Sequence, residues 1–322
     1  MTEIGSFIEL ELRSGKEYYT GETVRRLNTC RAALWHAARC RDVRKVWLPK
    51  YECDTVREFL KGKGMDVLFY DIDENFLPQL DGNAADTAIV IPNYYGIFGK
   101  KHFESVLPKY RNVIVDNAQA FFAAPLDGCM NCYSARKFNG VPDGAYVIGE
   151  GAGRFSYEQD VSSDTAGFLL LRHEYGCKGR AYEARKLNEK RIDSADCLEM
   201  SELTRRLLDS LDYEANIAKR KENFAYAREL FDGMNEFDIN HLTDEDAVPM
   251  VYPLLVRNDG IIPAFHDNGI YQGHWWEYLV DEMPEDSFEY LLSRYIVPIT
   301  IDQRVGKTEI DRQWEIVKSC FA

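Results

Sequence analysis

Lys137 stands in the stretch CYSARKFNGVPDGAYV, residues 132–147, inside a polar, glycine-containing turn with Ser134 three residues before it and the strand-like run AYVI just after. A lysine amine attacks a carbonyl only when part of it is neutral, which burial or a neighbouring positive charge brings about, and Arg136 is adjacent in sequence. Read singly, such a lysine is more often a solvated loop residue. Upstream, in VIVDNAQAFFA (113–123), an apolar run closes a strand and delivers Asp116 where a parallel sheet presents its ligand contacts. A carboxylate there can hold a cationic group, or it can cap the following helix.

Two further stretches could carry chemistry. In LNTCRAALWHAAR (27–39) small and polar residues open a helix, whose free N–H groups and positive dipole end attract anions. Arg31 could add a bidentate phosphate contact, while Asn28 or Thr29 would serve equally as an ordinary cap. In GIYQGHWWEY (269–278) two Trp and two Tyr surround His274, and His274 with Trp275 could line a pocket for a polar substrate or pack as core aromatics.

The elements that must position these residues alternate from residue 29 onward. Helical spacing in TCRAALWHAARCRD precedes the apolar run KVWLP, TVREFLKGKG precedes DVLFYDI, a polar stretch leads to TAIVIPN, and KHFESVLPKY precedes NVIVDNA. This pattern predicts an α/β fold with a mainly parallel central sheet flanked by helices, and a site beyond the carboxyl ends of the strands. From about 178 to 234 the residues predict a long connecting helix rich in opposite charges, followed by the β-like runs VPMVYPLLV and RYIVPITI and a closing helix TEIDRQWEIVKSCF. The expected division is a large cofactor-binding domain over 1–210 and a smaller C-terminal α+β domain over 211–322.

Composition narrows the partners. The 322 residues are 45% hydrophobic, enough to bury a large core, and the net charge of −14 argues against a nucleic-acid backbone as partner. No apolar run long enough to span a bilayer and no secretory signal pattern stands in the chain, so the expectation is a cytoplasmic protein with a small-molecule ligand and no membrane partner. The eight cysteines are scattered, which suits reduced thiols, and the single CxxC, Cys129 to Cys132, lacks a second pair, so no metal site is expected.

Taken in order, CRAAL, DNAQ and the lysine followed by VPDGAYV give a chain that resembles the DegT/DnrJ/EryC1/StrS family of sugar aminotransferases, fold type I pyridoxal-phosphate enzymes, over about residues 25 to 320. The resemblance implies pyridoxal 5'-phosphate as cofactor, a Schiff base on Lys137, Asp116 at the pyridine nitrogen, and Gln119 against the ring face and phenolic oxygen. It places Arg31 and Ala32 at the cofactor phosphate, Tyr51 and Cys53 near the position that stacks on the ring, and Asn93 and Tyr94 near an active-site His or Tyr. Where family members commonly carry a phosphate-binding serine this chain has Cys132, with Ser134 the nearest serine, and Cys197 stands where many carry an asparagine that reaches the partner subunit's phosphate. The implied activity is amino transfer from an amino acid, usually glutamate, to a keto-sugar, likewise implied to be nucleotide-linked, in a homodimer serving surface polysaccharide or a similar product. The alternatives are another pyridoxal-phosphate reaction on a sugar, such as dehydration, and a non-catalytic regulatory protein that binds the cofactor. Two lookalikes are set aside. GEGAG (149–153) has Arg154 at the third glycine position of a dinucleotide fingerprint, and Ser134-x-x-Lys137 lacks the companion motifs of a serine β-lactamase.

Overall fold

Strands TAIVIP and VIVDN are buried along their whole length, which is what a parallel strand covered on both faces requires. They form the middle of the central sheet in the computed structural model, which describes residues 4–321. Its strands are β1 (Val24–Leu27), β2 (Lys45–Pro49), β3 (Asp66–Tyr70), β4 (Thr87–Pro92), β5 (Val113–Asn117), β6 (Met130–Ser134) and β7 (Ala145–Ile148). The spatial order is β1-β7-β6-β5-β4-β2-β3. Only β7 runs against its neighbours β1 and β6; the other pairs are parallel.

Helix α1 (Cys30–Cys40) starts where Thr29, in extended conformation, caps it by accepting a hydrogen bond from Ala32 N–H. Ala32, Ala33, Ala37 and Ala38 are fully buried, and these small side chains let the helix lie close across β6 and β7. Helix α2 (Asp54–Gly62) follows β2 and returns the chain to the edge strand β3.

Two elements differ from the expectations. Residues 132–134, read from sequence as the start of a polar turn, belong instead to β6 (Met130–Ser134). Its polar member Asn131 is satisfied internally, the side chain exchanging hydrogen bonds with Leu126 O at 3.0 Å and Leu126 N at 2.9 Å, so a short run without an apolar pattern is still buried. The expected long helix over 178–234 is three helices, Arg180–Ser194, Glu202–Asp209 and Tyr213–Phe231. Ser201 and Asp212 each start a new helix by capping it. The buried carboxylate of Asp143 fixes the first of these breaks, accepting from Ser201 N at 2.8 Å and Ser201 Oγ at 2.6 Å. The non-helical stretch so created meets the start of α1, where Asn28 N–H donates to Leu198 O at 3.0 Å.

A second, antiparallel sheet pairs β8 (Val251–Leu255) with β9 (Ile296–Thr300). One apolar cluster runs through both sheets, joining Ile89, Ile91 and Val115 to Tyr252, Leu254, Val297 and Ile299. The turn after β4 ties them together. Met250 N–H donates to Tyr95 O at 2.7 Å, and Tyr95 N–H donates to Gln119 Oε1 at 2.6 Å.

Gly96 makes that junction possible, with φ +73° and its backbone against Gln119 O, so an added Cβ would fall inside the carbonyl's contact radius and 3.2 Å from Met250 N. Gly96→Ala should therefore destabilise the protein by more than about 2 kcal/mol, from the left-handed conformation and the backbone clash together. Denaturant unfolding of the two proteins measures the difference.

Candidate functional site

The carboxyl ends of β4 and β5 deliver Pro92 and Asp116 to one narrow cavity, with Asn93, Ala118 and Gln119 following them on the loops. Lys137, from the turn after β6, Glu52, from the loop after β2, and Trp276 complete its wall. This is the place where an open parallel sheet binds ligands. As it stands the space admits about one water molecule. Its outer wall is the exposed Lys137 side chain and the half-buried Trp276, so a ring-sized group enters only when that wall moves.

Asp116 is the fourth residue of β5 and is buried, opposite Cys132 in the β5–β6 register. One oxygen accepts from Ala118 N–H at 2.8 Å and from the Cys30 thiol at 3.6 Å. Burial pushes its carboxyl upward, and the Lys137 ammonium pulls the other way. Burial and the Asp116 charge hold the Cys30 thiol well above its ordinary range, so it stays protonated and can donate. Glu52 is also buried; Oε1 accepts from Cys53 N–H at 2.7 Å, while Oε2 is shut from water with no hydrogen-bond partner. Burial, reinforced by the Asp116 charge, pushes the Glu52 carboxyl up to about 8.

The sequence-selected residues divide into those that share this cavity and those that do not. Lys137, Asp116, Gln119 and Asn93 share it. Asn93 also braces its own loop, with Nδ2 donating to Phe98 O at 2.9 Å and Oδ1 accepting from Phe98 N at 3.1 Å. Tyr51 and Tyr94 are buried behind the wall, where Tyr94 OH donates to Tyr51 O at 2.7 Å and the Tyr51 ring meets Trp276 edge-on at 4.4 Å. Cys53 stands at the start of α2, its thiol 3.1 Å from Thr55 Oγ1.

Arg31 points elsewhere. Its guanidinium bonds Asp193 Oδ1 at 3.0 Å and the Ile192 carbonyl, so the side chain is committed to the helix Arg180–Ser194, and Ala32 N–H is taken by the Thr29 cap. The first-turn N–H groups left over for an anion are those of Cys30 and Arg31. Arg136, considered as a positive neighbour for Lys137, instead pairs with Glu189. Cys132 is buried in the apolar cluster beneath α1, and Ser134 ends β6 opposite Ala145. His274 Nδ1–H donates to Ile296 O at 2.9 Å and Trp275 stacks on Tyr95 at 5.4 Å; neither lines the cavity, whereas the next residue, Trp276, does. Cys197 lies in a separate surface groove with Tyr157 and Asp196.

Glu52 and Cys30 were not singled out from the sequence, and Trp276 only as one of the two tryptophans beside His274. Glu52 had a signal: a carboxylate just past the end of a parallel strand, the same rule that selects Asp116. Among the described residues no cluster of His, Cys, Asp and Glu is placed to hold a metal ion, and no helix is long and apolar enough to cross a membrane.

The architecture matches solved structures over nearly its whole length. CalS13, a sugar aminotransferase from Micromonospora echinospora, superposes with a TM-score of 0.59 at 17% identity, covering 92% of this chain and 87% of that one. The chain has the fold of the DegT/DnrJ/EryC1/StrS aminotransferases. A DegT/DnrJ/EryC1/StrS aminotransferase from Brucella abortus gives 0.60 at 12% identity, over 92% and 86% of the two chains. A sugar aminotransferase, Spr1654 from Streptococcus pneumoniae, solved in its PLP form, gives 0.61 at 12% identity over 92% and 86%. No protein-family model and no curated protein matches the sequence. What this chain shares with these aminotransferases is therefore its three-dimensional fold.

The raised Glu52 carboxyl has a consequence for stability. It stays neutral in the folded state up to about pH 8 but ionises near 4.5 in the unfolded chain, so between those values the folded state holds the extra proton. Stability accordingly falls as pH rises through that window. Glu52→Gln should remove this fall and make the protein more stable than wild type at pH 8.5 by on the order of a few kcal/mol, with the gap closing near pH 4.5. Urea unfolding across that range checks both the sign and the closure.

Proposed function

We propose that this protein is a pyridoxal-phosphate-dependent aminotransferase that moves an amino group from an amino acid, glutamate in the first instance, to a keto-sugar, one carried on a nucleotide, and that it works as a homodimer. The observation that carries this reading is the convergence of Lys137 and the buried Asp116 on one cavity at the strand ends of an aminotransferase fold.

The residues fit the cofactor chemically. Lys137 is the amine that would hold the cofactor aldehyde. Asp116, buried and accepting only from Ala118 N–H and the Cys30 thiol among the described contacts, has an oxygen free for a protonated ring nitrogen. Gln119 is fixed through Tyr95 N–H and leaves its amide N–H groups for an oxygen acceptor. The leftover N–H groups of Cys30 and Arg31, at the positive end of α1, suit a phosphate. Pyridoxal phosphate when bound supplies an electron sink for the carbon that bears the amine.

The chain's own residues do the rest. Burial raises the Asp116 carboxyl, and the Lys137 charge offsets part of that penalty and so favours the carboxylate form toward the site. Lys137, on the open side of the cavity, is placed to take and return a proton at the amine-bearing carbon of a substrate entering there. Trp276, held edge-on against Tyr51, walls the cavity together with Lys137 and limits water access.

Purified protein mixed with pyridoxal phosphate should develop a visible absorbance band above 400 nm that Lys137→Ala abolishes and glutamate bleaches; a protein that binds no pyridoxal phosphate overturns the reading. Asp116→Asn should retain the band and lower turnover by at least about 100-fold, since a neutral amide cannot hold the ring nitrogen's proton. Single-turnover absorbance kinetics with glutamate check this.

A further inference from the structure

We propose that Glu52 is a second proton-carrying residue of the Lys137 cavity, exchanging a proton between its free oxygen Oε2 and the Lys137 amine through a water in the cavity the two residues share. The proposal deepens the aminotransferase reading and takes its chemical purpose from it.

Geometry singles out the atom. Oε1 of Glu52 is used by Cys53 N–H at 2.7 Å, and the main-chain oxygen of Glu52 accepts from Tyr278 OH at 2.6 Å, so the residue is fixed at both ends. Oε2 is left buried without a partner in a cavity it shares with Lys137 and Asp116. A buried, unpaired carboxyl oxygen is costly unless a ligand or a proton satisfies it. Nothing else facing Glu52 supplies a labile proton. Tyr94 OH donates to Tyr51 O at 2.7 Å, Tyr70 OH to Val90 O at 2.5 Å, and Tyr278 OH to Glu52's own carbonyl. Burial raises all three phenols and the Cys30 thiol, so they stay protonated through the neutral range. Asp116 is a like charge, and Lys137 is the cation that acts on Glu52.

The step balances with the relaying water returned unchanged. An N–H bond of the Lys137 ammonium breaks and an O–H bond forms at Oε2, the ion pair becomes a neutral amine and a neutral acid, and no electrons change owner. An ammonium cannot attack a carbonyl, so the Lys137 amine has to give up a proton before it does. Asp116 is poorly suited to take that proton, since its reading requires it to remain charged toward the ring nitrogen. A group whose proton affinity lies near the working pH serves best in such an exchange, and burial moves Glu52 toward that range.

The test uses the full chain without cofactor, carrying carbon-13 at the glutamate side-chain carboxyls, followed by NMR from pH 4 to 10. Wild type should show one glutamate carboxyl titrating near pH 8, missing from Glu52→Gln. In Lys137→Met the same resonance should titrate about one unit higher, because the neighbouring cation is gone. The proposal is overturned if every glutamate titrates below about pH 6, or if the high-pH resonance ignores Lys137→Met. With pyridoxal phosphate bound, the pH midpoint of its visible band should fall by about one unit in Glu52→Gln, since a carboxylate no longer stabilises the protonated nitrogen; an unmoved midpoint also overturns it. If wild type binds no pyridoxal phosphate the proposed aminotransferase function fails, while the carboxyl titration still decides whether Glu52 and Lys137 share a proton.

Discussion

The rest of the structure depends on a carboxylate kept in a place that disfavours it. Asp116 and Asn117 are the polar end of an otherwise apolar central strand, and removing the Asp116 carboxylate from water costs several kcal/mol unless its oxygens and charge are met. Each partner that meets it comes from a different part of the chain. Ala118 N–H comes from the turn directly after β5, the Cys30 thiol from the first turn of α1, and the Lys137 charge from the turn after β6. The parallel register that sets Asp116 against Cys132 is what brings the ends of β5 and β6 level, so the lysine's turn opens beside the carboxylate.

Support for that arrangement runs through close backbone contacts and small side chains. The alanines of α1 let the helix settle on β6 and β7, which puts Cys30 within reach of Asp116. On the other face, the left-handed turn Tyr95–Gly96 touches Gln119 and accepts a hydrogen bond from Met250 N–H, just before β8. The two sheets therefore share one apolar cluster, and the wall residue Trp276 is positioned by aromatics just past the ends of β2 and β4, Tyr51 and Tyr94. A core common to both sheets transmits a shift in one to the mouth of the cavity.

The site sets two buried carboxyl groups, Glu52 and Asp116, against a single lysine in a chain that is itself acidic. Arginines that lie near it in sequence do not relieve this. Arg31 and Arg136 both turn to the helix Arg180–Ser194, where Asp193 and Glu189 wait. Their charges thus stabilise the packing of that helix and leave the cavity with protons as its means of neutralisation.

The amino-acid sequence by itself determined the alternation of strands and helices, the strand-end position of Asp116 and the order of CRAAL, DNAQ and Lys137, because hydrophobic periodicity and strand-end placement are local properties. It could not determine β6, whose Asn131 is satisfied by the main chain of Leu126, Cys129 and Ile148, nor the first break in the 178–234 segment, which Asp143 fixes from 58 residues away. The direction of a long side chain was equally beyond it: Arg31 stands beside the site in sequence and away from it in space, while Glu52 is brought in from the end of another strand. Side-chain direction and burial depend on partners far along the chain, and only the tertiary structure decided that the lysine shares its cavity with a second, unpaired carboxyl group.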